Sequence, residues 1–140
     1  MGDEDIRSTQ RLEKLVAGLS DADLRLDLGN GWSVTTALGH LAFWDREQRL
    51  NLAAWQQGTP PAGGDDSVNE TLGSMLSALE PRAAVELALA AAGELDQASA
   101  AISDELRRTI LSSEHDYVLL RARHRDEHVE QIERALAARS

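Results

Sequence analysis

The stretch Trp32–Gln57 reads WSVTTALGHLAFWDREQRLNLAAWQQ, and its pattern predicts one long helix. Ser33 is placed to cap this helix, because a serine side chain can accept a hydrogen bond from the free backbone N–H groups of a first turn. Trp32, one residue earlier, can pack over Ala37 as a hydrophobic staple. One face of the helix is apolar and contains Val34, Ala37, Leu41, Trp44, Leu52 and Trp55. His40 lies at the edge of that face and can therefore point into a helical core.

Other helical regions are predicted on both sides of this helix. The first covers about Asp3 to Leu19 and is followed by the connection Ser20–Gly31. Another covers about Val68 to Ile102 and is interrupted near Pro81, since the fixed φ and missing N–H of proline suit the first turn of a helix. Between the long helix and this region, Gly58–Asp66 contains two prolines and three glycines, which predicts a flexible loop.

The last helix is predicted to begin after Ser113 and to run nearly to the C-terminus. Ser113-Glu114-His115-Asp116 resembles a capping box with aspartate in place of glutamate. His115 lies near this helix start, two turns or more from His124, so we expect it to be a solvated or capping residue. Alanine and leucine number 21 each, against 10 for valine and isoleucine together, which favours helix over strand. The expected fold is all-α, a bundle of four long helices within a single domain, residues 1–140.

The charge and cysteine content exclude several classes of function. The 140 residues include 14 lysine and arginine against 24 aspartate and glutamate, a net charge of −10, which argues against wide binding to nucleic acid or an anionic membrane. The absence of cysteine excludes a disulfide framework, a thiolate zinc site and a cysteine nucleophile. Neither a signal peptide nor a membrane-spanning run is apparent in the sequence, so we expect a cytoplasmic protein.

His124 and His128 on the last predicted helix are four residues apart, which places both imidazole rings on one face. The other members of that face are Tyr117, Ile132 and Ala135. Together with His40 on a facing helix, these histidines could bind one divalent metal ion and leave positions open for water or substrate, as catalytic sites do. The same spacing suits histidines that are hydrogen-bonded within a core, and spacing does not decide between the two.

Three other residues are candidates for substrate chemistry. Glu127 flanks the histidine face, where it could act as a base or orient a ligand, although a solvated surface glutamate has the same pattern. Arg121 shares the histidine face, and we favour a structural salt bridge, with Glu47 as its partner, over a binding site for an anionic substrate. Trp44, one turn after His40, could line a substrate pocket or pack in the core.

Three short motifs together resemble the DinB/YfiT-like superfamily of metalloenzyme-like four-helix bundles. They are Gly31–Val34 (GWSV), Gly39–Ala42 (GHLA) and His124–Ile132 (HRDEHVEQI), and the resemblance covers nearly the whole chain by length and helix order. The superfamily includes thiol-dependent transferases and the N-terminal domain of mycothiol-dependent maleylpyruvate isomerase. The family pattern places aspartate directly after the first histidine of the last helix, where this chain has Arg125.

The resemblance implies that His40, His124 and His128 bind a divalent metal, zinc or nickel, between the helices. It also implies an up-down-down-up bundle with a long crossover, and a homodimer. We therefore expect a metal-dependent enzyme in which the ion activates a low-molecular-weight thiol or water, as in a thiol transferase or a hydrolase. The alternative is a non-catalytic helical bundle that binds a small molecule or a protein partner, and metal content would separate the two.

Overall fold

The computed structural model describes residues 3–29, 31–59 and 68–139, and within these ranges the chain is all-helical, as predicted. An isolated bridge between Asp27 and Ser33 is the β-type pairing in the connection before the long helix. The α-helices are α1 (Asp3–Ala17), α2 (Asp21–Leu24), α3 (Val34–Gln56), α4 (Val68–Leu76), α5 (Pro81–Ala100), α6 (Asp104–Leu111) and α7 (Ala122–Arg139). A 3₁₀ turn, Asp116–Val118, lies between α6 and α7. No helix in the described ranges is long and apolar enough to cross a membrane.

The local signals for helix starts are confirmed for α3 and α5. The Ser33 side chain accepts a hydrogen bond from the backbone N–H of Thr36 at 3.1 Å. Pro81 occupies the first turn of α5, and the Glu80 carboxylate caps that helix by accepting from the backbone N–H of Ala83 at 2.9 Å. The predicted loop Gly58–Asp66 lies outside the described residues, apart from its first two positions.

The predicted start of the last helix is wrong, since α7 begins at Ala122 and a separate helix, α6, precedes it. Ser113 lies just after α6 and does not start α7, because its hydroxyl donates to the carbonyl of Ile110 and accepts from the backbone N–H of His115. The cap of α7 comes from α1. The Asp5 carboxylate accepts from the backbone N–H groups of Arg121 at 3.0 Å and Ala122 at 2.7 Å. A cap supplied from the other end of the chain leaves no local signal in the sequence.

Small side chains let α5 pack closely against α3, the pair with the most extensive contact. The α5 face towards the core contains the buried residues Ala84, Ala88, Ala91 and Ala92. Leucine and valine side chains of α1, α3, α5 and α7 form one apolar cluster, centred on Leu12, Leu38 and Val129. A second cluster joins the C-terminal half of α3 to α6 and includes Leu52, Leu95 and Ile110. The apolar core therefore has two parts along the length of α3.

The guanidinium of Arg125 lies between these helices and is completely buried. It contacts the other three long helices, α1, α3 and α5. On α1 it donates to the Thr9 hydroxyl at 3.0 Å and to the Asp5 carbonyl at 3.1 Å. It also forms salt bridges with Asp45 of α3 at 3.0 Å and with Asp96 of α5 at 2.9 Å. Because Arg125 belongs to α7, one side chain connects the four elements.

Asp45 is the shared carboxylate of this network and is 1 % exposed. Its Oδ2 atom accepts from Arg125, and its Oδ1 atom accepts from Nε of Arg121, each at 3.0 Å. Burying charge is costly unless each charge is paired and its hydrogen bonds are satisfied. Asp45 pairs with both arginines and Asp96 pairs with Arg125, so each guanidinium has a carboxylate partner. Loss of any one member would leave an uncompensated charge inside the protein.

We predict that Asp45→Asn lowers the free energy of unfolding by about 3–5 kcal/mol, because breaking a buried ion pair on one side strands its partner. Urea denaturation followed by circular dichroism measures this change. The matched control is Glu127→Gln, which removes an exposed carboxylate paired with Arg123 and should change stability by less than about 1 kcal/mol. Equal stabilities of the two variants would show that the buried network does not hold the fold.

Candidate metal centre

Three histidines from α3 and α7 converge where these helices pack together. His40 lies near the middle of α3 and is 5 % exposed, whereas His124 and His128 lie in the first turns of α7 and are half-buried. The Nε2 atoms of His40 and His124 are 3.2 Å apart. The ring of His128 lies 4.8 Å from that of His40 and 4.9 Å from that of His124, centroid to centroid. The predicted i, i+4 pair on α7 and the histidine on α3 thus form a triad.

The donor set of the triad fits a divalent metal ion. One nitrogen from each of the three rings lies within 4.8 Å of the other two. Nitrogen ligands of a tetrahedral zinc ion lie about 3.3 Å from one another, close to the 3.2 Å between the Nε2 atoms of His40 and His124. The Nδ1 atom of His128 donates to the side-chain oxygen of Gln131 at 3.1 Å. The free lone pair of this ring is therefore on Nε2. Such a hydrogen bond to the second ring nitrogen is typical of metal-binding histidines.

Burial keeps the triad uncharged at neutral pH. Desolvation, with the nearby His128 and Arg121, lowers the pKa of His40 to about 4. Desolvation and the Arg121 guanidinium lower the pKa of His124 to about 3. The pKa of His128 is also lowered, chiefly by burial, against a smaller opposing effect of its hydrogen bond to Gln131. All three imidazoles are therefore in the neutral form that binds a metal ion.

Arg121 precedes α7 rather than lying on it, and is 5 % exposed. It forms a buried salt bridge, as favoured from the sequence, but the predicted partner Glu47 is wrong because the partner is Asp45. Its other N–H groups donate to the Tyr117 carbonyl at 3.2 Å and to Nδ1 of His124 at 3.1 Å. Asp45 lies on the buried face of α3 beside the turn that presents Arg121, which explains the choice of partner.

A cavity of about 680 Å³ opens beside His40 and His124. Its other lining residues include Trp44, Glu47, Gln48, Asn51, Tyr117 and Leu120. The indole N–H of Trp44 donates to the Asn69 side chain at 2.9 Å, which fixes the ring at the cavity wall. Glu127 also lines the cavity, but its side chain is 59 % exposed and pairs with Arg123 at 3.2 Å. The residues predicted to handle substrate thus surround one space.

His115 and Tyr117 lie on the same cavity wall and have roles that differ from those predicted. His115 makes no capping hydrogen bond and is half-buried, so its assignment as a capping or solvated residue is wrong. Its Nδ1 atom is 2.9 Å from the Tyr117 hydroxyl. Tyr117 lies in the 3₁₀ turn and not on the face of α7, because α7 starts five residues later. The misplaced helix start caused both errors.

Comparison with known proteins supports one family. Searches of curated proteins and of solved structures return no significant match to the chain. The family model described as the DinB superfamily matches residues 5–132, which include most of α1, the whole of α3 and all three histidines of the triad. The chain therefore belongs to the DinB superfamily.

Proposed function

We propose that this protein is a metal-dependent enzyme in which His40, His124 and His128 hold one divalent ion, zinc or nickel. The observation that carries the proposal is the convergence of three neutral imidazoles within 4.8 Å, beside a cavity of about 680 Å³. That volume is in the range of small-molecule sites. A bound divalent ion acts there as a Lewis acid that lowers the pKa of a thiol or a water molecule and so supplies a nucleophile near neutral pH.

Between the two nucleophiles, we propose a low-molecular-weight thiol as the cosubstrate in preference to water. Water loses its proton less readily than a thiol and gains more from a positioned base. Glu127 is the candidate base, yet it is more than half exposed and ion-paired with Arg123. In the thiol reaction, sulfur forms a bond to an electrophilic carbon of the second substrate, and the leaving group departs with the bonding electrons. Hydrolysis with Glu127 as base is the second candidate.

The residues around the triad would orient the substrates. Trp44, fixed by Asn69, offers an apolar surface beside His40 for the carbon skeleton of the electrophile. Arg121 lines the cavity too, and Asp45, Tyr117 and His124 accept from three of its five N–H groups. Two N–H groups therefore remain for an anionic substrate. The contacts of Arg121 with Asp45, Tyr117 and His124 hold the wall of the site in place.

Superfamily membership supports four accompanying proposals. These are an up-down-down-up order of the four long helices with a long crossover, a single domain, a homodimer, and a cytoplasmic location. None of them is needed for the chemistry of the triad. The rival proposal, a non-catalytic bundle that binds a small molecule or a protein partner, shares the fold and differs in having no turnover.

We predict thiol-transferase activity that depends on both the metal ion and the triad. Untagged protein loaded with zinc or nickel should consume low-molecular-weight thiols in the presence of chlorodinitrobenzene, measured by absorbance of the conjugate. His128→Ala should lose at least about 100-fold in rate, since it removes a ligand. The matched control on the same helix is Arg134→Ala, an exposed residue, which should retain the wild-type rate.

The assay also separates the rival functions. Metal-dependent cleavage of a nitrophenyl ester without thiol consumption would favour the hydrolase. Neither reaction in fully loaded protein, across several thiols and electrophiles, would contradict the enzyme proposal and favour the binding module.

A second prediction concerns the stability of the metal-free protein below neutral pH. The unfolded-state pKa of histidine is about 6.5. Folding lowers the pKa of His40 to about 4 and that of His124 to about 3. In this pH range these histidines bind protons in the unfolded chain and not in the folded protein. The free energy of unfolding should therefore fall as pH falls from 6.5 to about 4. Denaturation curves of chelator-treated protein measure this slope.

The metal ion should modify this dependence in a defined way. A ligand that binds the folded state raises its stability, and protons compete for the same imidazole nitrogens. The increase in melting temperature on adding zinc should therefore be lost between about pH 7 and pH 5, and should be small throughout in His128→Ala. A wild-type curve that chelator leaves unchanged at pH 7.5, despite confirmed removal of the ion, would show that metal binding is not linked to folding.

A further inference from the structure

The contact between Arg121 and His124 fixes the position of one hydrogen atom. The guanidinium has donors and no acceptor, and it stays protonated in proteins. Its Nη2 atom lies 3.1 Å from Nδ1 of His124, so Nδ1 must be the acceptor of this hydrogen bond. Because Nδ1 accepts this hydrogen bond, it carries no hydrogen. The ring of His124 is therefore neutral, with its single hydrogen on Nε2.

The hydrogen on Nε2 of His124 also determines how this ring contacts His40. The Nε2 atoms of His124 and His40 are 3.2 Å apart, so the hydrogen on His124 is donated to the lone pair of His40. A hydrogen-bonded chain thus runs from Arg121 through His124 to His40. His128 is oriented in the opposite sense, because its Nδ1 hydrogen is donated to Gln131 and the lone pair of Nε2 remains available. In this arrangement the Nε2 atoms of His124 and His40 are hydrogen-bonded to each other.

We propose that Arg121 is a positioning residue that sets the metal affinity of the triad by holding His124 in the form that cannot bind the ion through Nε2. A metal ion needs the Nε2 lone pair, which becomes available when the hydrogen moves to Nδ1. That hydrogen would face the N–H of Arg121, so Arg121 must release His124 as the ion binds. The salt bridge with Asp45 and the bond to the Tyr117 carbonyl use other N–H groups of Arg121 and can persist. The affinity role rests on the metal site proposed above, whereas the hydrogen-bonded chain does not.

The variant that tests the affinity role is Arg121→Lys. Lysine keeps the positive charge opposite Asp45 but lacks the rigid fork that reaches two partners at once. The matched control is Arg123→Lys, which changes an exposed arginine on the same cavity, paired with Glu127. Zinc affinity is measured by competition with a chromophoric chelator at pH 7.5. Arg121→Lys should bind zinc about tenfold more tightly than wild type, since a hydrogen bond to a charged group no longer opposes binding. Arg123→Lys should stay within about twofold.

The hydrogen positions are tested in the wild-type protein, so the result does not depend on a variant folding. Long-range ¹H–¹⁵N correlation spectra distinguish the two tautomers of each histidine. In metal-free protein we expect His124 with its hydrogen on Nε2 and His128 with its hydrogen on Nδ1. Addition of zinc should move the hydrogen of His124 to Nδ1.

The outcomes separate this inference from the proposed function. If wild type binds zinc and Arg121→Lys binds it no more tightly, or if metal-free His124 already carries its hydrogen on Nδ1, the inference is overturned and the metal site stands. If neither wild type nor Arg121→Lys binds zinc, the proposed metal site fails, and the affinity role of Arg121 fails with it.

Discussion

The buried guanidinium of Arg125 is the contact on which the arrangement of the long helices depends. It donates to groups on α1, α3 and α5 from its own position on α7, and it is completely buried. Asp45 extends this network to Arg121, which in turn contacts His124. The same set of charges therefore sets the separation of α3 from α7, the two helices that supply the histidine triad. Apolar packing alone would permit small shifts along the helix axes, whereas these directional hydrogen bonds resist them.

Burial gives the candidate site its chemical character in two ways. Desolvation lowers the pKa of all three triad histidines, which keeps them neutral and able to bind a metal ion. Two arginines near the triad add to this effect at His124. The carboxylates of Asp45 and Asp96 compensate those arginines, so the site can hold positive groups close to a cation-binding triad at a tolerable cost. The network that holds the helices together thus also prepares the ligands.

Local patterns in the sequence were sufficient to predict α3, its serine cap and the shared face of His124 and His128, because each rests on helical spacing or on groups a few residues apart. The inclusion of His40 in the same site rested on the family resemblance, since spacing did not decide it. Long-range contacts were not predictable in this way. Arg125 follows His124 directly and looks like a surface residue, yet it is buried by partners 29 to 120 positions away along the chain. The cap of α7 comes from Asp5, more than 100 residues earlier, and missing it misplaced His115 and Tyr117. Predicting the partner of Arg121 would have required knowledge of which face of α3 is buried.

Elemental analysis combined with X-ray absorption tests the central claim, that the buried charge network presents three histidines as one metal site. Protein purified without a histidine tag should contain about one divalent ion per chain, with three nitrogen ligands at about 2.0–2.1 Å. His128→Ala should lose the ion, and His115→Ala, which changes a cavity histidine outside the triad, should retain it. Metal content near zero that added zinc or nickel does not restore would contradict the account. Equal loss in the two variants would contradict it as well.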